Sequence, residues 1–216
     1  MKNNIERAKE LLPSIILTIL SMVQALALEL LWSKIEEGNH LWHFGLAAAV
    51  GWLQLLVMLM GILLIWVMYV NFVLRFTWLP AMEDTLIPFF IGLLEFAMID
   101  LMGPNFLGIW FVLLGAVFIV VTLGSHLTLR QARRDSANDY FFNQVNPASW
   151  RDYTATIAVV ALFCLCGLLL WLFDNNGLMS ITALLLALGA MSYRFVQVKH
   201  FWMHSLGPES PEGNEV

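Results

Sequence analysis

Six predominantly apolar stretches follow one another in this chain, at about 11–32, 44–73, 86–102, 106–127, 153–173 and 178–198, with short polar breaks between them. An α-helix rises about 1.5 Å per residue, so crossing a hydrocarbon core of about 30 Å takes about 20 apolar residues. Six such crossings consume nearly all of the 216 residues, and no separate soluble domain fits. Hydrophobic residues make up 60% of the chain and charged residues 12%, against about 45–50% and about 25% in soluble domains. Both departures point to lipid as the main solvent. The sequence therefore predicts an all-α integral membrane protein, a six-transmembrane-helix bundle forming a single domain over residues 1–204. The Pro- and Gly-rich acidic end, 205–216, is expected to be disordered. Lys2, Arg7 and Lys9 before an apolar run imitate a signal peptide, but the run is too long for one, and an uncleaved first helix is expected.

Charge orients the bundle. With the N-terminus cytoplasmic and six spans, the inner segments hold ten of the eleven basic residues, and Lys34 stands alone outside. Basic residues gather on the cytoplasmic side of membrane proteins, so both termini are expected inside and the protein in a bacterial cytoplasmic (inner) membrane. The net charge of −5 says little about partners because the two signs are segregated along the chain. No basic patch interleaved with aromatics suggests nucleic acid. The expected partners are the lipid bilayer, a small ion or solute, and another copy of the chain or a partner membrane subunit.

Within this apolar background the polar exceptions carry the functional argument. Glu95 stands near the middle of the third stretch, about 14 Å along the helix from Leu86. A carboxylate at that depth costs roughly 2.5–3.5 kcal/mol on insertion scales and marks a proton or ion site by default; the competing role is a hydrogen bond that ties helices together. Pro88, Gly92, Glu95, Ile99 and Gly103 share one face, whose small residues allow close helix approach. Asp100 points about 140° away and is a secondary candidate. In the first helix Thr18, Ser21 and Glu29 make a polar seam with Gln24 at its edge. Glu29 reads equally well as an ion-site acid and as an interfacial residue reaching the headgroups. Gln54 and Asn71 in the second helix can hydrogen-bond across helices, and Gln54 can come level with Glu95 or Glu29. The candidate set is therefore Glu95, Glu29 and Asp100 as proton or ion groups, with Ser21, Gln24 and Gln54 lining the path.

Other features read more plainly. Ser180, Ala183, Ala187 and Ala190 form a close-packing seam ending at Arg194, which is expected to snorkel to the inner surface. His200 and His204 share a helix face, but two ligands do not make a metal site, and His40 and His43 beside Glu36 and Glu37 form only a weak outer cluster. Cys164 and Cys166 point to different faces and cannot pair within one helix. No channel filter, hydrolase, nucleotide-binding or dinucleotide-binding signature occurs, and no cofactor or metal is expected. The functional reading is a small transporter or channel for a cation or proton-coupled solute. The alternatives are an accessory, assembly or sensor subunit of a membrane complex and, third, a membrane-embedded enzyme, which is disfavoured because the acids and histidines are scattered in depth.

Overall fold

A computed structural model describes residues 4–146, 149–173 and 177–205, apart from the side chains of residues 82, 83, 151, 152, 204 and 205. Of the expected acidic tail, 205–216, Ser205 ends the last helix and 206–216 lie outside the described residues. The described chain is helical, with no strand. Its helices are α1 (Asn4–Glu37), α2 (Leu46–Arg75), α3 (Ile87–Asp100), α4 (Leu107–Ala132), the short α5 (Asp139–Phe142), α6 (Trp150–Leu172) and α7 (Gly177–Ser205).

Five of these, α1, α2, α4, α6 and α7, are long and apolar enough to cross a membrane. The third apolar stretch differs from expectation. It forms a helix of 14 residues, which rises about 21 Å and falls short of a hydrocarbon core of about 30 Å. Local chemistry sets both ends. Pro88 opens the helix, where its missing N–H costs nothing. Gly103 closes the turn at φ 135°, open to glycine without strain, and Pro104 follows. The first helix also differs, in the opposite direction. It starts at Asn4 rather than near Leu11 and runs through Pro13, although that ring removes the hydrogen bond to the Lys9 carbonyl.

Contacts at the two ends of the bundle give the helix directions. At one end Lys9 of α1 pairs with Asp135 just after α4. There too Tyr140 donates to the Arg75 carbonyl closing α2, and Arg75 lies 4.4 Å from the Trp202 ring of α7. At the other end Lys34 of α1 comes within 4.0 Å of Asp100 closing α3. Gly108 opening α4 meets Gly167 late in α6, and Gly177 opening α7 lies against Leu46 opening α2. The chain thus runs α1, α2, α3, α4, α6 and α7 in alternating directions, and α1 begins at the end of the bundle where α7 finishes. That end also carries Arg130 and Arg133 and is called the basic end below.

The helices pair unevenly. α4 packs along α6 and α2 along α7, α3 is held by α1 and α4, and α6 and α7 touch each other sparingly. One apolar core runs through the far half, where Trp110, Phe111 and Phe163 are fully buried. A second gathers at the basic end around Phe72, Phe76, Trp78 and Phe142. The Tyr140-Phe141-Phe142 run is aromatic enough to rest at a membrane interface. Instead α5 folds Phe142 onto Phe76, ring centroids 5.4 Å apart, and Phe141 sits 5.8 Å from Phe201 of α7. Asn138 holds this loop down. Its side chain accepts from the Thr77 N–H and donates to the carbonyls of Thr77 and Ala132. The bond to Ala132 is buried and the two to Thr77 are partly buried, so one amide satisfies three backbone groups at once.

Candidate functional site

Gly92 determines how closely α3 can lie on α1. A Cβ built there would stand 2.5 Å from Val23 Cγ1, so only a bare backbone fits. The next residue of α1 is Gln24, and the next residue on that face of α3 is Glu95. Close approach brings the two together: Gln24 Nε2 donates to Glu95 Oε2 at 3.0 Å. Both side chains are nearly inaccessible, Gln24 at 3% and Glu95 at 2%. Glu95 Oε1 and Gln24 Oε1 have no hydrogen-bond partner among the described residues. One carboxylate is therefore held by a single neutral amide, with no basic side chain paired to it among the described residues.

Glu95 also lines a cavity of about 1340 Å³ between the α2/α7 pair and the α4/α6 pair. The cavity is built from single helix faces. On α4 its wall runs through Leu114, Phe118, Val121, Ser125, Leu129 and Arg133, steps of three or four residues that keep to one stripe, with His126 and Arg130 beside it. From Leu114 to Arg133 that stripe rises about 28 Å. The cavity reaches the exposed Arg130, Asn146 and Ser149 at the basic end. At the other end it stops below the packed rings of Trp110, Phe111 and Phe163. Among the described residues its lining stops short of that end, which makes it a blind chamber.

The wall changes character along its length. The blind end is apolar, with Met58 and Ile62 of α2, Met98 of α3 and Leu114 and Val117 of α4; Glu95 is the one acid among its described lining residues. Towards the mouth come Asn71, Thr122, Ser125 and His126, then Arg130 and Arg133. His126 Nδ1 is hydrogen-bonded to the Tyr153 hydroxyl of α6. One turn deeper on α6, Thr156 Oγ1 accepts from Arg194 of α7, whose other nitrogen donates to Gln197 at 2.9 Å. Arg194 was expected to reach for the inner surface. It turns into the chamber instead, because α6 and α7 diverge there and Thr156 and Gln197 supply neutral acceptors.

The remaining candidates separate from Glu95. Gln54 is fully buried but does not line the cavity; its Oε1 accepts from the Gly103 N–H at 3.1 Å and pins the α3–α4 turn to α2. Ser21 accepts from Trp66 Nε1 and donates to the Leu17 carbonyl, a bond between α1 and α2 outside the cavity. Glu29 is exposed. The Asp100 side chain is 86% accessible and meets only Lys34 among the described residues. The structure thus brings together Glu95 and Gln24 and leaves Glu29, Asp100, Ser21 and Gln54 elsewhere. Residues that sequence reasoning did not place at the site are His126, Arg130, Arg133, Tyr153, Thr156 and Arg194. Among them only Arg133 carries a local sequence signal, since with Ser125 it continues the apolar face of α4 at helical spacing; His126 and Arg130 lie beside that face, and Tyr153, Thr156 and Arg194 belong to α6 and α7. No family model matches this chain, and no curated protein or solved structure matches it.

Proposed function

We propose that the protein is a membrane carrier in which Glu95 takes up and releases a proton while the chamber holds a solute. The bundle is read as six crossings, with α3 as a short one packed against α1 and α4 and both termini on the cytoplasmic side. The observation that carries the proposal is the buried, uncompensated Glu95 on the wall of a chamber open towards one end of the bundle. Ionisable groups at membrane depth mark proton and substrate paths, and a carboxylate taken out of water loads and releases protons according to its surroundings. Gln24 suits that role because its N–H donates to an ionised or a protonated carboxyl alike. The other charged or titratable groups on the same wall are His126, Arg130, Arg133, Tyr153 and Arg194.

Two features narrow the reading. A blind chamber supports a carrier over a channel, since a channel needs a continuous path. Three arginines on the approach disfavour a cation, which would meet like charge before reaching Glu95. The proton-coupled solute is therefore preferred. The test is reconstitution into vesicles containing a pH-sensitive dye, with candidate solutes added outside. Wild-type protein is expected to move protons only with its solute, and Glu95→Gln is expected to bind solute but move no protons. Solute-dependent proton movement that survives Glu95→Gln would remove Glu95 as the coupling group.

A further inference from the structure

We infer that the chamber binds an amphipathic organic anion, a phosphate or carboxylate head joined to an apolar body, with the head among Arg194, Arg130 and His126 and the body directed towards Glu95. The inference rests on the reading of the chamber as a solute site. Its first support is size. A chamber of about 1340 Å³ exceeds the roughly 300–1,000 Å³ of ordinary small-molecule pockets and is far larger than an inorganic ion needs. Its second is the gradient along the wall: α4 alone passes from Leu114 and Phe118 through Ser125 to Arg133 in one stripe, with His126 and Arg130 beside it, so a ligand filling the space meets apolar side chains at one end and cations at the other.

The third support is the state of the cations. Arg194 donates to Thr156 and Gln197. Arg133 donates to the carbonyls of Val145 and Asn146. All four acceptors are neutral, and no carboxylate pairs with Arg130, Arg133 or Arg194 among the described residues. Guanidinium groups that line an apolar chamber without a counter-ion favour a phosphate or carboxylate, which can accept two parallel hydrogen bonds from one arginine. The sparse contact between α6 and α7 flanks the head-group level, because Tyr153 and Thr156 of α6 and Arg194 of α7 line it. An amphiphile could therefore enter sideways from the bilayer as well as from water.

The test uses the full-length protein in nanodiscs of zwitterionic lipid, so that no detergent fills the chamber. The probes are decyl phosphate, decanoate, decyltrimethylammonium and inorganic phosphate, each titrated calorimetrically. Decyl phosphate and decanoate are expected to bind saturably, near one per chain, and to displace each other. The Arg130→Gln/Arg194→Gln double variant is expected to weaken decyl phosphate about tenfold or more, the loss of one charge-assisted hydrogen bond. Gly61→Phe, which fills the chamber where Gly61 faces Met191, is expected to weaken the decyl anions similarly. Equal affinity for decyltrimethylammonium would overturn the anionic head. Equal affinity for inorganic phosphate would overturn the apolar body and leave a simple anion site. These head-group comparisons use wild-type protein and decide the matter even if a variant fails to fold. Decyl anions that bind as stated while no proton moves in vesicles would reject the carrier and leave this site standing. Solute-driven proton movement without such binding would reject this inference alone.

Discussion

Gly92→Ala tests the contact on which the Glu95 site is built. The added Cβ would stand 2.5 Å from Val23 Cγ1, about 0.9 Å inside ordinary contact at 3.4 Å. Val23 is β-branched and lies within α1, where its χ1 has one strongly preferred setting, so it yields poorly. Two effects oppose each other. Alanine gains about 0.8–1.0 kcal/mol over glycine in a helix interior, and overpacking costs about 1–3 kcal/mol. A shift of 0.9 Å is large for packed helices, so the overpacking cost should win, with a net loss of about 0.5–2 kcal/mol. Opening the α1–α3 gap also lengthens the Gln24–Glu95 hydrogen bond from 3.0 Å, which couples stability to the site. The assay is reversible unfolding in mixed micelles, with Val23→Ala as the second arm. Val23→Ala alone removes buried methyl groups and is expected to cost about 1–2 kcal/mol. The double variant is expected to be less destabilised than the sum of the two by about 1 kcal/mol or more, the mark of direct contact. A neutral or stabilising Gly92→Ala, or strictly additive losses, would refute the close approach.

Four further outcomes follow from the same structure. Glu95→Leu is expected to lose about 1–2 kcal/mol in micelles because it strands the Gln24 N–H, whereas Glu95→Gln keeps an acceptor and should stay within about 0.5 kcal/mol of wild type; equal losses would show that Gln24 does not rely on residue 95. Gly167→Ala is expected to destabilise the α4–α6 pair, since its Cβ would meet the Gly108 carbonyl at 2.6 Å, while Gly189→Ala, with nothing within 4 Å, is expected to stabilise by about 0.5–1 kcal/mol; melting of the two variants in parallel checks the contrast. Asn138→Ala is expected to cost about 1–3 kcal/mol and loosen the loop over Phe76, because three backbone groups lose their partner; limited proteolysis near Asn138 reads the loosening. Lys9 holds the Asp135 carboxyl below its ordinary value, chiefly by its hydrogen bond. A depressed folded pKa stabilises above the unfolded value of about 3.9 and loses that stability as pH falls through the folded pKa. Unfolding profiles between about pH 5 and 2 should therefore flatten in Asp135→Asn, and an unchanged profile would exclude the pair as a contributor.

Much of the architecture follows from local periodicity. The buried side of α3 was legible because Pro88, Gly92, Glu95 and Ile99 recur at helical spacing, and all four are buried. Asp100, read as a secondary ion group on another face, has an exposed side chain. Gln24 was named as a candidate, but nothing in its neighbourhood points to a partner 71 positions away. Gln54 read as lining because it is polar within an apolar stretch; its role is to satisfy the Gly103 N–H in a turn, and a turn's demand for a distant acceptor leaves no local mark. The third stretch, read as 86–102, is helical over Ile87–Asp100, because the chain turns at Gly103 and Pro104 while Leu101 and Met102 are still apolar.

The sequence by itself determined that the chain is helical and of membrane type, and which face of each polar-bearing helix differs from the rest. Only the tertiary structure decided which of those faces meet. In a soluble protein an apolar stripe announces the core, because water lies on the other side. In lipid the outside of a helix is as apolar as its packed side, so the pattern does not separate a lipid face from a helix contact or the wall of a chamber. Arg194 and the α4 stripe acquire their meaning only when α6 and α7 are seen to diverge around them, and Glu95 when Gly92 lets α3 close on Gln24.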